Sequence, residues 1–143
     1  MALILNEEQL MLKEAASSFL NDKAPVSQLR ELRDSDDERG YKEGVWKDMT
    51  EMGWAGIAIP EEYGGVGYGY SGLGIVLEEV GRNLSASPLN ATVLVAATVV
   101  LRAGNSQQKQ AILPGIAAGT LNMSLAIEEN GHHKVNNFTT TAK

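Results

Sequence analysis

The run from Leu89 to Leu101 constrains the fold of this chain most. It is apolar on every side of a helix, broken only by Asn90, Thr92 and Thr98. A helix with no polar face cannot lie on a surface; it has to be surrounded by other elements. Its valines also permit a strand, but the length favours a helix. With Ser87 and Pro88 read as N-cap and first-turn proline and Gly104 as the stop, it is too short and too interrupted to span a bilayer. The expectation is a mainly α helical bundle built around this segment.

The surrounding sequence supplies the amphipathic partners. Asn6 and Gln9 form a capping-box pattern ahead of a helix whose Leu12, Ala16, Phe19 and Leu20 share one face. Pro25 suits the first turn of a short second helix carrying Leu29 and Leu32, and residues 34–38 read as a solvated acidic loop. Val45, Trp46, Met49 and Met52 form the buried face of a third helix stopped by Gly53, with Glu43 and Lys47 spaced for a surface ion pair. An apolar turn over 54–60 leads to a glycine-rich loop (Gly64, Gly65, Gly67, Gly69, Gly72). A fourth helix then runs over about 71–84 with Leu73, Val76, Leu77 and Val80 inward. A sixth begins at Ser106 and ends near Gly119, distorted at Pro114.

After Gly119 the texture changes. Residues 122–127 and 135–142 favour extended chain, but two strands make no stable sheet alone. The expected division is a helical domain over 1–120 and the incomplete start of a β domain over 121–143, making the chain a fragment of a longer protein.

Composition removes several function classes. The 143 residues suffice for one domain with a core, and the formal charge of −6 comes with no basic patch, which argues against a nucleic-acid partner. There is no cysteine, hence no disulfide framework, thiolate metal site or cysteine nucleophile. The apolar N-terminus lacks a basic region and a cleavage site, so the Asn-x-Ser/Thr sequons at Asn83, Asn90, Asn122 and Asn137 read as coincidence and a cytoplasmic location is expected.

No motif completes an active site. Gly67-Tyr68-Gly69-Tyr70-Ser71-Gly72 matches the dinucleotide pattern literally, but the strand-like run ends at Ile59 and no acidic residue lies between Glu79 and Glu128. A tight glycine turn over a neighbouring segment is the better reading. Glu78 and Glu79 point about 100° apart on a helix and do not converge on one substrate; pairing with Arg82 is expected of one of them. His132 and His133 lack metal-ligand spacing, and Trp46 and Trp54 read as core anchors.

One ordered series carries more. Trp46-x-x-Met49-x-Glu51-Met52-Gly53-Trp54-Ala55-Gly56-Ile57 is followed by Ile59-Pro60-Glu61-Glu62-Tyr63-Gly64-Gly65-Val66-Gly67, then Glu78-Glu79-Val80-Gly81-Arg82 and Ser87-Pro88. The Ala103-Gly104-Asn105 turn, Gln108-Lys109, Leu113-Pro114 and Gly119 continue it. The series resembles the acyl-CoA dehydrogenase family over about residues 6–128. That resemblance implies an N-terminal helical bundle, followed in the family by a middle β-barrel and a second helical bundle. It implies FAD between the later domains, a homo- or hetero-oligomer, and an acceptor such as electron-transfer flavoprotein. It also implies an acyl-CoA substrate whose α-proton is taken by a glutamate beyond residue 143. None of Glu61, Glu62, Glu78 or Glu79 is then the catalytic base, and the chain alone is expected to be inactive.

The resemblance further implies that the start of the fifth helix lines the acyl-tail site, through Ser87, Ala91 and Val95. Most members carry Ala-Leu-Thr-Glu-Pro and then Gly-Ser-Asp at the start of the middle domain. This chain has Ile127 at the threonine position and Glu129 at the proline, with no recognisable Gly-Ser-Asp. Flavin contacts are then expected from backbone groups of Ser124, Ala126 and Ile127. The alternative is a flavin-free structural subunit of a hetero-oligomer.

Overall fold

The computed structural model describes residues 4–129 and 138–141. Helix α1 spans Glu7–Lys23, and its capping box is complete, with the Asn6 side chain accepting from the Gln9 N–H at 2.8 Å and the Gln9 side chain accepting from the Asn6 N–H. Helix α2 covers Val26–Asp34, α3 covers Glu43–Glu51, and single 3₁₀ turns follow at Trp54–Gly56 and Glu61–Tyr63. Helix α4 is Tyr70–Asn83, α5 occupies 89–103, and α6 is Ser106–Ala117, capped by a second box formed by Asn105 and Gln108.

The core forms where these helices bring their apolar stripes together. Ala16 and Leu20 of α1 meet Leu73 and Val76 of α4, Leu89, Val93 and Ala97 of α5, and Leu113 and Ile116 of α6. Each fully buried leucine or isoleucine contributes roughly 1.5–3 kcal/mol. The apolar fifth helix is buried along one face only, through Leu89, Thr92, Val93, Ala96, Ala97 and Val100. Ala91 and Val99 are exposed and Leu94, Val95 and Leu101 are half-buried, so the expectation of a helix surrounded on every side is corrected for the described residues. Trp46 and Trp54 are both buried anchors; the Trp54 ring meets Phe19 edge-on at 5.4 Å, and Trp46 Nε1 donates to the Gly119 carbonyl at 3.1 Å.

The glycine loop is a folding device. The N–H groups of Val66, Gly67 and Gly69 donate to the carbonyls of Gly56, Ile59 and Ile57 at 2.9–3.1 Å, laying the loop directly on the preceding turn. A Cβ on Gly65 would collide with the Ile59 carbonyl, so only glycine fits that approach.

Several local expectations are corrected. Pro25 is the extended cap before α2, one position earlier than expected, and Leu29 stays exposed while Leu32 is buried. Met52 lies past the end of α3 and is 41% exposed, since Gly53 at φ +80° turns the chain away there. Glu43 pairs with Arg39 and Lys47 with Glu51, because the loop before α3 brings Arg39 within reach of Glu43. Ser87 does not cap α5: Pro88 already has helical angles (φ −71°, ψ −7°), and the Ser87 hydroxyl is buried without a hydrogen-bond partner among the described residues.

The largest difference lies in α5. Its first part, Leu89–Ala96, is a π-helix, and Ala97 donates back five residues to the Thr92 carbonyl; only Ala97–Ala103 is α-helical. Residues 121–129 and 138–141 form no helix or strand. Part of the expected 135–142 strand lies outside the described residues, as do His132 and His133. No described helix is long and apolar enough to cross a membrane.

Candidate functional site: a cavity at the start of the fifth helix

Three segments meet around a cavity of about 330 Å³. Arg39, Gly40 and Tyr41 come from the α2–α3 loop, Ser87, Pro88, Ala91 and Thr92 from the start of α5, and Asn122, Met123 and Ser124 from the segment after α6. Each segment has a physical reason to be there. Asp37 ties the loop by accepting from the N–H groups of Arg39 and Gly40, both at 3.0 Å. The segment after α6 is held by two hydroxyls. Asn122 Nδ2 donates to the Tyr41 hydroxyl at 2.9 Å. Thr92 Oγ1 donates to the Met123 carbonyl at 2.9 Å and accepts from the Met123 N–H at 3.1 Å.

Of the six residues singled out in the sequence, Ser87, Ala91 and Ser124 come together on this cavity. Val95 stands further along α5, half-buried and outside the lining. Ala126 and Ile127 are exposed beyond Ser124, in neither helix nor strand. Sequence reasoning missed Thr92, Tyr41 and Asn122. A signal existed for Thr92: a hydroxyl inside an apolar helix must find a partner, and this one, 1% exposed, finds Met123.

Several charged groups away from the cavity are paired. Glu79, only 3% exposed, lies 3.2 Å from Arg82 Nε and 3.9 Å from Lys13 Nζ. Glu78 meets the same cations at 2.6 and 3.4 Å. The hydrogen bond from Arg82, then that from Lys13, holds the Glu78 carboxyl below its ordinary range. Both carboxylates thus tie α1 to α4. Glu129 accepts from the Thr139 hydroxyl at 2.6 Å and from the N–H groups of Thr139 and Thr140. These bonds, the Thr139 hydroxyl first, lower its carboxyl to about 2. At the cavity rim, pairing with Glu43 raises the Arg39 guanidinium pKa. No described cluster of three His, Asp or Glu side chains is arranged to hold a metal.

Among the described residues, the six helices and the cavity at the start of α5 define a helical-bundle domain. Residues 6–120 match the family model for the acyl-CoA dehydrogenase N-terminal domain. The chain is 32% identical to the acyl-CoA dehydrogenase FadE12 of Mycobacterium tuberculosis, over 98% of this chain and 36% of that protein. A variant of the Tcur3481-Tcur3483 steroid ACAD superposes with a TM-score of 0.77 at 34% identity, over 87% of this chain and 34% of the other. An acyl-CoA dehydrogenase from Bacillus anthracis, complexed with FAD, gives 0.73 at 25% identity, over 90% of this chain and 22% of that one. The chain spans about a third or less of the length of these relatives. This chain belongs to the acyl-CoA dehydrogenase family, as its N-terminal domain.

Proposed function

We propose that this domain forms the acyl-tail wall of an FAD-dependent acyl-CoA dehydrogenase. Residues 1–120 act as the helical domain and 121–143 lead into the next one. The observation that carries this reading is the cavity lined together by Ser87 just before α5, Ala91 of α5 and Ser124 of the exit segment. Ser87 and Ala91 are small, which leaves room for an acyl tail, while Val95 would border it deeper along the helix. Glu61, Glu62, Glu78 and Glu79 have no part in proton abstraction; the base comes from polypeptide absent from this sequence.

The flavin is matched by main chain. Residues 124–127 are exposed and belong to no helix or strand. That leaves backbone groups of Ser124, Ala126 and Ile127 open to an isoalloxazine edge, with Ile127 giving apolar contact in place of a hydroxyl. FAD, when bound, supplies the acceptor for the substrate hydride. The substrate is an acyl-CoA thioester, and the partners are the remaining domains, further subunits in a homo- or hetero-oligomer, and an electron-transfer flavoprotein or similar acceptor.

The test uses the full-length polypeptide that carries this sequence. Purified protein should show oxidised-flavin absorbance that bleaches with an acyl-CoA, and Ala91→Phe should move the chain-length preference toward shorter tails. An unchanged chain-length profile would overturn the pocket assignment. Ile127 at the threonine position favours a second reading, a flavin-free structural subunit, which colourless full-length protein would support.

A further inference from the structure

We propose that Thr92 is a positioning residue: its hydroxyl fixes the exit segment against the π turn of α5, setting the spacing between the acyl cavity and the stretch that meets the flavin. This inference rests on the reading above and assigns the part played by one side chain within it.

The geometry is specific. Thr92 is 1% exposed, and its hydroxyl makes two bonds to one residue, donating to the Met123 carbonyl at 2.9 Å and accepting from the Met123 N–H at 3.1 Å. A hydroxyl can do both at once because it carries one proton and two lone pairs. Helical threonines commonly bond the carbonyl one turn back; this one reaches across to a residue 31 positions later. It therefore does for Met123 what a neighbouring strand would do, satisfying both backbone groups of an otherwise unladdered segment.

The location makes the clamp functional. Met123 lies between Asn122 and Ser124, and all three line the cavity beside Ala91 and Thr92. Two residues beyond Ser124 begin Ala126 and Ile127, the flavin-facing stretch. Thr92 also contributes the carbonyl that takes the five-residue bond from Ala97. One residue thus belongs both to the widened turn bordering the cavity and to the clamp on the cavity's opposite wall. The second anchor of that wall, Asn122 on the Tyr41 hydroxyl, is exposed and offers a single bond, so Thr92 is the tighter of the two.

Thr92→Val keeps the shape and removes both bonds, while Thr92→Ser keeps the hydroxyl. In the full-length protein, hydrogen exchange at the Met123 amide should lose about tenfold of its protection in Thr92→Val and keep it in Thr92→Ser. Binding of a saturated acyl-CoA series, read by the perturbation of flavin absorbance, should weaken about tenfold in Thr92→Val and stay near wild type in Thr92→Ser. If Thr92→Val does not fold, Asn122→Ala supplies the second variant, with a smaller loss of binding in the same direction. A variant that only lowers the melting temperature, with flavin response and Met123 exchange unchanged, would overturn the positioning role. Wild-type protein that binds neither flavin nor any acyl-CoA would instead overturn the proposed function, and the Met123 exchange comparison would then judge the clamp by itself.

Discussion

Replacing Gly119 with alanine strikes the point where α6, α3 and the exit segment are joined. Gly119 sits at φ +67°, and its carbonyl accepts the Trp46 indole N–H at 3.1 Å. A Cβ there would lie 2.7 Å from Thr50 Cγ2 and closer still to Thr50 Oγ1. Thr50 cannot easily withdraw, because its hydroxyl donates to the Trp46 carbonyl at 2.9 Å. The left-handed backbone costs a non-glycine residue about 1–2 kcal/mol. Overpacking adds about 1–3 kcal/mol. Stiffening of the unfolded chain returns about 0.4–1 kcal/mol. The expected net loss is about 3 kcal/mol, or roughly 10 °C in melting temperature for a chain of this size. Urea denaturation followed by tryptophan fluorescence measures it. Thr50→Ala removes the obstructing atoms but leaves the backbone strain, so the double variant should cost less than the two single losses together by about 1–3 kcal/mol. A Gly119→Ala loss under about 1 kcal/mol, or strict additivity, would refute this account of the junction.

Two further outcomes follow from the same structure. Leu113→Ala, at a fully buried site of α6, should cost about 2–5 kcal/mol in the same denaturation experiment. Glu78 titrates below its ordinary value of 4.5, so its contribution to stability is complete above that pH and is lost as pH falls through the lowered folded value. Glu78→Gln should therefore flatten the acid limb of the stability profile while leaving its slope near neutrality unchanged, read by thermal melts across pH.

How much of this was legible in the sequence depends on the kind of interaction. The segment 89–101 announces a core helix, and Leu89, Val93, Ala97 and Val100 do enter the core. Apolarity all round did not mean burial all round, since Ala91 and Val99 stay exposed. Asn6 with Gln9, and Gly53 at the end of α3, are local signals obeyed locally. The glycine loop was readable as a close turn, although its partner carbonyls at Gly56, Ile57 and Ile59 were not. What stayed hidden is set by distant partners. Nothing in the spacing of Leu89 to Ala96 signals a π-helix, and Ser87, a good capping residue by type, is displaced when Pro88 takes helical angles. Strand propensity in 122–127 finds no ladder among the described residues, so Met123 is held by a threonine hydroxyl instead. The family resemblance singled out Ser87, Ala91 and Val95 for the acyl tail and Ser124 for the flavin. Of these, Ser87, Ala91 and Ser124 line one cavity while Val95 does not. Tyr41 and Asn122 carry no local signal of meeting across 81 positions.

Photo-crosslinking reads the contents of the cavity directly. A saturated acyl-CoA carrying a diazirine near the end of its tail, bound to the full-length flavoprotein and irradiated, should leave its label on the peptides holding Ser87 to Ala91 and Asn122 to Ser124. Label confined to other surfaces, with these peptides unmodified while the flavin still responds to the ligand, would contradict the assignment of this domain as the acyl-tail wall.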